Sequence, residues 1–170
     1  MTPPPDQVGP IADLPITQNL PALYVIESGS RWLKAWRFFL AHPPTNQSTN
    51  GSTNGPVGHD TVCLQSLRVD GDSDSAADFG SLDSHLSDLL RGKPQVAIFW
   101  EISADVLLAR AAAITKIRRQ YPDCLQLAGT NTLSSGDLAV ISELGVAASA
   151  RAPEDLPRMA SMLQRFMRAQ

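Results

Sequence analysis

Val96-Ala97-Ile98-Phe99-Trp100 is apolar at every position, with Pro94-Gln95 before it and Glu101 after it. A strand with one wet face alternates apolar and polar side chains. An unbroken apolar run of this length instead suits a central strand of a parallel sheet, covered on both faces. The rest of the chain is read outward from this strand.

Upstream, Leu23-Tyr24-Val25-Ile26 predicts a first buried strand. Gly29 and Ser30 lead from it into a helix over Arg31–His42, where Leu33, Trp36 and Leu40 recur at helical spacing and Ser30 is a suitable N-cap. Thr61–Leu67 predicts a second strand, and Ser81–Arg91 a helix with Leu82, His85, Leu86, Leu89 and Leu90 on one side. Downstream, Ala104–Gln120 places Leu107, Ala111, Ile114 and Ile117 in helical register. Its basic last turn (Lys116, Arg118, Arg119) suits the negative end of the helix dipole. A fourth strand is expected at Leu125–Ala128. Ser134 and Asp137 then form a capping-box pattern before a short helix that stops at Gly145. Val146–Ala150 predicts a fifth strand. Asp155–Arg168 predicts a last helix with Leu156, Met159, Leu163 and Phe166 facing inward. Strand and helix alternate five times, and crossovers of this length make strands parallel with helices on both faces. The expected fold is a three-layer, doubly wound α/β domain with its site at the carboxyl ends of the strands.

Residues 1–20 are rich in proline and predict a flexible lead-in to a single domain over residues 21–170. Polar loops interrupt that domain near 43–60 and 69–80. With 170 residues, 43% hydrophobic and 18% charged, the composition is that of an ordinary globular chain. A formal net charge of −3 gives no global reason to expect nucleic acid as a partner. No run approaches the roughly 20 apolar residues that span a bilayer, and the N-terminus lacks a secretory pattern, so no membrane partner and a cytoplasmic location are expected. Cys63 and Cys124 are expected to be buried free thiols.

The turns and strand ends resemble those of response-regulator receiver domains, most closely from Pro94 to Phe166. The matching pieces are Pro94-Gln95, Val96–Trp100, Tyr121-Pro122-Asp123, Leu127–Thr130, Leu144-Gly145-Val146 and Ala152-Pro153, with Leu23–Ser28 resembling the opening strand. The resemblance implies strand order 2-1-3-4-5, which receiver-like and flavodoxin-like folds share. It also implies where phosphorylation chemistry would sit. A receiver carries two acids after its first strand, a phospho-accepting Asp after its third, a Thr or Ser after its fourth and a Lys after its fifth. The carboxylates help hold Mg²⁺ in octahedral oxygen coordination. Here the first acid is kept as Glu27 and the second is Ser28. The acceptor falls on Trp100 in the better register, or on Glu101 if the strand slips by one. The Thr is Thr130, and the Lys position is Ala152, with Arg151 one place earlier. The resemblance therefore implies a degenerate receiver that takes no phosphate on Asp and is not an enzyme. Its contact surface would lie on the last two helices, with Arg151, Arg158, Met162, Arg165 and Met167 and a homodimer as one form of it. Two alternatives stay open. One is a flavodoxin-like domain that binds or converts a small molecule in the carboxyl-end cleft; the other is a divergent receiver that still accepts phosphate.

No cofactor is expected. Asp70, Asp72 and Asp74 begin like a calcium loop, but Ser75 and Ser81 stand where that loop needs Gly and Glu. His42, His59 and His85 share no metal-ligand spacing. No glycine-rich phosphate loop follows any strand, although Glu27-Ser28-Gly29-Ser30 forms a turn where backbone amides could hold a small anion or simply be capped. Trp32, Trp36, Phe38 and Phe39 are too many for one buried stripe, so Trp32 or Phe38 is expected to face solvent.

Overall fold

The computed structural model describes residues 21–42, 62–68, 86–91, 93 and 95–169. The predicted lead-in, both polar loops, the three alternating aspartates, His59 and His85 lie outside these residues.

Five strands form one sheet: β1 (Ala22–Glu27), β2 (Cys63–Arg68), β3 (Val96–Glu101), β4 (Leu125–Gly129) and β5 (Ala148–Ala150). All four pairings are parallel and the order is β2-β1-β3-β4-β5, as expected. Helix α1 spans Arg31–Ala41, and residues 86–90 are helical and are called α2. Helices α3 (Leu107–Gln120), α4 (Ser135–Leu144) and α5 (Leu156–Arg168) follow, with one 3-10 turn at Pro153–Asp155 leading into α5.

The pleat divides each central strand between two cores. Ala22, Tyr24 and Ile26 of β1, with Ile98 and Trp100 of β3, pack under Leu86, Ile114, Ile117 and Ile141 from α2, α3 and α4. Leu23 and Val25, with Ala97 and Phe99, pack under Trp32, Leu33 and Trp36 of α1 and Leu156, Leu163 and Met167 of α5. Every residue of β1 is buried, and so is every residue of β3 up to Trp100. This two-sided burial is why both strands read as continuous apolar runs.

Phe99 anchors the α1 side. Trp32 tilts against it at a ring-centroid distance of 5.1 Å, and Trp36 meets it edge-on at 5.6 Å. Gly129 makes that stack fit, because a Cβ there would lie 2.5 Å from Cζ of Phe99 and 2.7 Å from the Trp32 indole. Of the two aromatics expected at the surface, Phe38 is 57% exposed while Trp32 is buried. Met167, expected on a contact surface, instead belongs to the core: it lies four residues after Leu163 and so shares that inward side of α5. Cys63 and Cys124 are free and half-buried rather than fully buried.

The caps follow local chemistry in one helix and tertiary chemistry in another. Ser134 and Asp137 close the expected capping box on α4, and Gly145 ends that helix at φ 126°. At α1, Ser30 holds the N-cap position without making a side-chain capping bond.

Candidate functional site

The carboxyl ends of β1, β3, β4 and β5 bring together Glu27, Ser28, Glu101, Thr130 and Arg151. Glu27 is fully buried, and its carboxylate turns to the start of α1. One oxygen accepts from the amide of Trp32 at 2.9 Å and the other from the amide of Leu33 at 3.2 Å. The first amides of a helix lack internal partners and carry the positive end of its dipole, so a carboxylate is well placed there. The anion held by this turn is the chain's own.

Ser28 follows at the strand end and is exposed. Its amide and its hydroxyl both donate to Oε2 of Glu101, at 2.8 and 2.9 Å. Glu101 is thus the β3 residue whose side chain enters the cleft. Trp100, the better-register candidate for the acceptor place, points the other way. Its indole is buried in the core under α3, where Nε1 donates to Oε1 of Gln126 at 3.1 Å. Gln126 in turn donates to the carbonyl of Ile114 at 3.1 Å, which makes a buried polar chain between β3, β4 and α3. The indole therefore stays out of the cleft, although Trp100 is the better-register candidate for the acceptor place. The reason is parity: Ile26 pairs with Trp100 across β1 and β3, and both side chains face the same core.

Arg110 was missed by the sequence reading. It is buried on α3 with Ile114 and Ile117, and its guanidinium carbon lies 5.8 Å from the centroid of the Trp100 ring. Burial lowers its pKa, and the charge of Glu101 works against that. The available signal was its spacing: Leu107, Arg110, Ile114 and Ile117 fall on one helical stripe, and a cation within such a stripe needs an anion nearby.

Thr130 is buried, and its hydroxyl accepts from the amides of Thr132 and Leu133, each at 3.3 Å. It folds the β4–α4 loop. Arg151 spans from β5 to the same loop, donating to the carbonyl of Leu133 and the hydroxyl of Ser135, both at 3.3 Å. Asp155 fixes the β5–α5 turn by accepting from the amides of Arg151 and Ala152 at 2.8 and 3.1 Å. Ala152, at the expected Lys position, offers only this amide. Arg158 and Arg165 are exposed on α5 and Met162 is half-buried; Met167 does not join them.

These residues do not fit an octahedral Mg²⁺ site. Both oxygens of Glu27 already accept helix amides, Ser28 has replaced the second acid, and Oε2 of Glu101 takes two bonds from Ser28. Among the described residues no three His, Cys, Asp or Glu side chains are grouped to hold a metal.

No family model and no curated protein matches the chain. Solved structures do. The signal receiver domain of an HD-domain-containing protein from Pseudomonas fluorescens Pf-5 superposes with a TM-score of 0.54 at 10% identity, over 92% of this chain and 96% of that one. The Mn²⁺-bound response regulator Rcp1 gives 0.52 at 15% identity, over 86% and 93%. The response regulator RcsB of Salmonella typhimurium gives 0.53 at 14% identity, over 87% of this chain and 61% of that one. The fold is receiver-like. In this receiver-like frame, the end of β1 carries Glu27-Ser28, the end of β3 carries Glu101, β4 leads into Thr130, and β5 leads into Arg151-Ala152. No helix among the described residues is long and apolar enough to cross a membrane.

Proposed function

We propose that this domain is a receiver-like module of signal transduction that works through protein contacts and takes no phosphate on Asp. The observation that carries this is the occupation of its two cleft carboxylates. Both oxygens of Glu27 cap α1 and Oε2 of Glu101 takes both donors of Ser28, which leaves the cleft short of the free oxygens that a metal and a phosphoryl donor need. Aspartyl-phosphate chemistry needs a free carboxylate nucleophile beside a bound cation. Glu101 instead supplies a standing negative charge at the end of β3, and Arg151 ties β5 to the β4–α4 loop. Both contacts support a domain held in one state rather than one switched by phosphorylation.

With the cleft closed on itself, output falls to the surface of α4, β5 and α5, where Arg151, Arg158 and Arg165 are exposed and Met162 is half-buried. Arginine and methionine are both favoured at interfaces. The partner is a protein, and a second copy of the chain is one form it takes.

The test is incubation of the full chain with acetyl phosphate and Mg²⁺, followed by intact-mass measurement. No phosphate is expected on the protein. A gain of one phosphate that disappears in Glu101→Gln would overturn the proposal.

A further inference from the structure

Helices α1 and α5 pack side by side on one face of the sheet. The α1 side turned away from the core carries Arg31, Lys34 and Arg37, and α5 carries Arg158, Arg165 and Arg168, all six exposed. Neither helix contains a carboxylate, in a chain whose formal net charge is −3. Charge is therefore segregated, which a net value hides. The nearest acids in sequence stand before each helix: Glu27, buried and spent on the amides of Trp32 and Leu33 at the start of α1, and Glu154 and Asp155 before α5, the latter accepting the amides of Arg151 and Ala152.

An apolar group lies among the cations. Phe38 is four residues after Lys34 and is 57% exposed. His42 stacks on it at 4.8 Å with the planes 28° apart, and Phe39 meets it nearly perpendicular at 5.2 Å.

We propose that the α1/α5 face docks on an anionic phospholipid surface. Two adjacent helices, with axes about 8–10 Å apart, make a broad flat layer that matches a planar array of headgroups. Clustered Lys and Arg are drawn to such a surface electrostatically, and an exposed aromatic among them reaches the acyl boundary. A nucleic acid fits less well: two helices packed flat against a sheet leave neither free to enter a groove, and Phe38 lacks an open ring face on the His42 side for a base to stack on. Arg158 and Arg165 also border the proposed protein-contact surface, whereas Lys34, Arg37 and Phe38 do not, so the test is built on α1.

The full chain is sedimented with phosphatidylcholine vesicles with and without phosphatidylserine. Binding is expected only with phosphatidylserine, and it weakens as salt rises. The double variant Lys34→Glu/Arg37→Glu should lose tenfold or more in affinity, by about a factor of five per charge removed. Phe38→Ser should lose a smaller factor and keep the salt dependence. Lys116→Glu/Arg119→Glu, on exposed positions of α3 across the sheet, should bind like wild type. Circular dichroism checks that each variant is folded. The proposal is overturned by absence of binding, by equal binding to both vesicle types, or by equal loss in the α3 variant. Tighter binding to duplex DNA that the α1 substitutions abolish also overturns it.

Discussion

Ser28 gives two hydrogens to a single oxygen: its amide and its hydroxyl both donate to Oε2 of Glu101, at 2.8 and 2.9 Å. The pair joins the ends of β1 and β3, where the sequence resemblance to receivers led one to expect an acid and its phospho-acceptor. It also places an anion whose charge opposes, without cancelling, the desolvation that lowers the pKa of the buried Arg110 guanidinium.

Removing either partner should therefore cost stability. Ser28→Ala loses one charge-assisted bond and should destabilise the domain by about 1 kcal/mol in urea unfolding. Glu101→Ala should cost more, about 2 kcal/mol, because it removes both bonds and the charge facing Arg110. A double-mutant cycle showing no coupling between the two sites would mean that the pair contributes nothing to folding.

Glu27 is expected to matter for α1. Glu27→Ala leaves the amides of Trp32 and Leu33 without their acceptor in a buried setting, a loss of about 2–4 kcal/mol. Glu27→Gln keeps one oxygen but loses the charge facing the helix dipole, and should cost about 1–2 kcal/mol. Equal stability of both variants and wild type in urea would show that the carboxylate is dispensable as a cap.

Gly129→Ala tests the packing of the α1 side. The added methyl meets Phe99 and Trp32 at distances no relaxed contact allows, so overpacking of about 1–3 kcal/mol is expected. The indole of Trp32 should report the shift in its fluorescence spectrum. A variant with wild-type stability and an unchanged spectrum would contradict the packing described above.

The Cys124 thiol gives a pH-dependent readout. Burial pushes Cys124 up from an ordinary value of 9.0 to about 12. At pH 8 only about one Cys124 in ten thousand is then a thiolate, so alkylation of the folded protein there should be slow until unfolding exposes it. The sign for stability follows. An acid whose folded pKa is raised favours folding below its unfolded pKa, and that contribution is lost as pH climbs from about 9 towards 12. Cys124→Ala should flatten this part of the stability–pH curve. An alkylation rate at pH 8 equal to that of the denatured chain would contradict the burial of the thiol.

Strand and helix positions and the α4 caps were legible in the sequence because each rests on a local period or a local bond, while the strand order was implied by the resemblance to receivers. Val96–Trp100 reads as a central strand because both its faces are covered, and Ser134 finds Asp137 three residues along its own chain. Part of the cleft was legible in the same way, since Glu27, Ser28 and Thr130 sit at predicted strand ends, whereas Arg151 is expected from the sequence on a contact surface and instead ties β5 to the β4–α4 loop. Which β3 side chain enters the cleft was not legible. A strand places neighbours on opposite faces, but only the pairing of Ile26 with Trp100 fixes which face is which, and that pairing sends the indole inward and Glu101 outward. The capping of α1 departed from propensity within the β1–α1 turn: Ser30 is the better cap by propensity, yet the buried Glu27 carboxylate at the end of β1, five and six residues before them, accepts from the amides of Trp32 and Leu33. The sequence by itself determined the alternation of elements, through periodicities carried within short windows. Only the tertiary structure decided the orientation of Trp100, the burial of Arg110 and Met167, and the partners of Glu27 and Glu101, because each depends on register and on groups brought together from separate strands and helices.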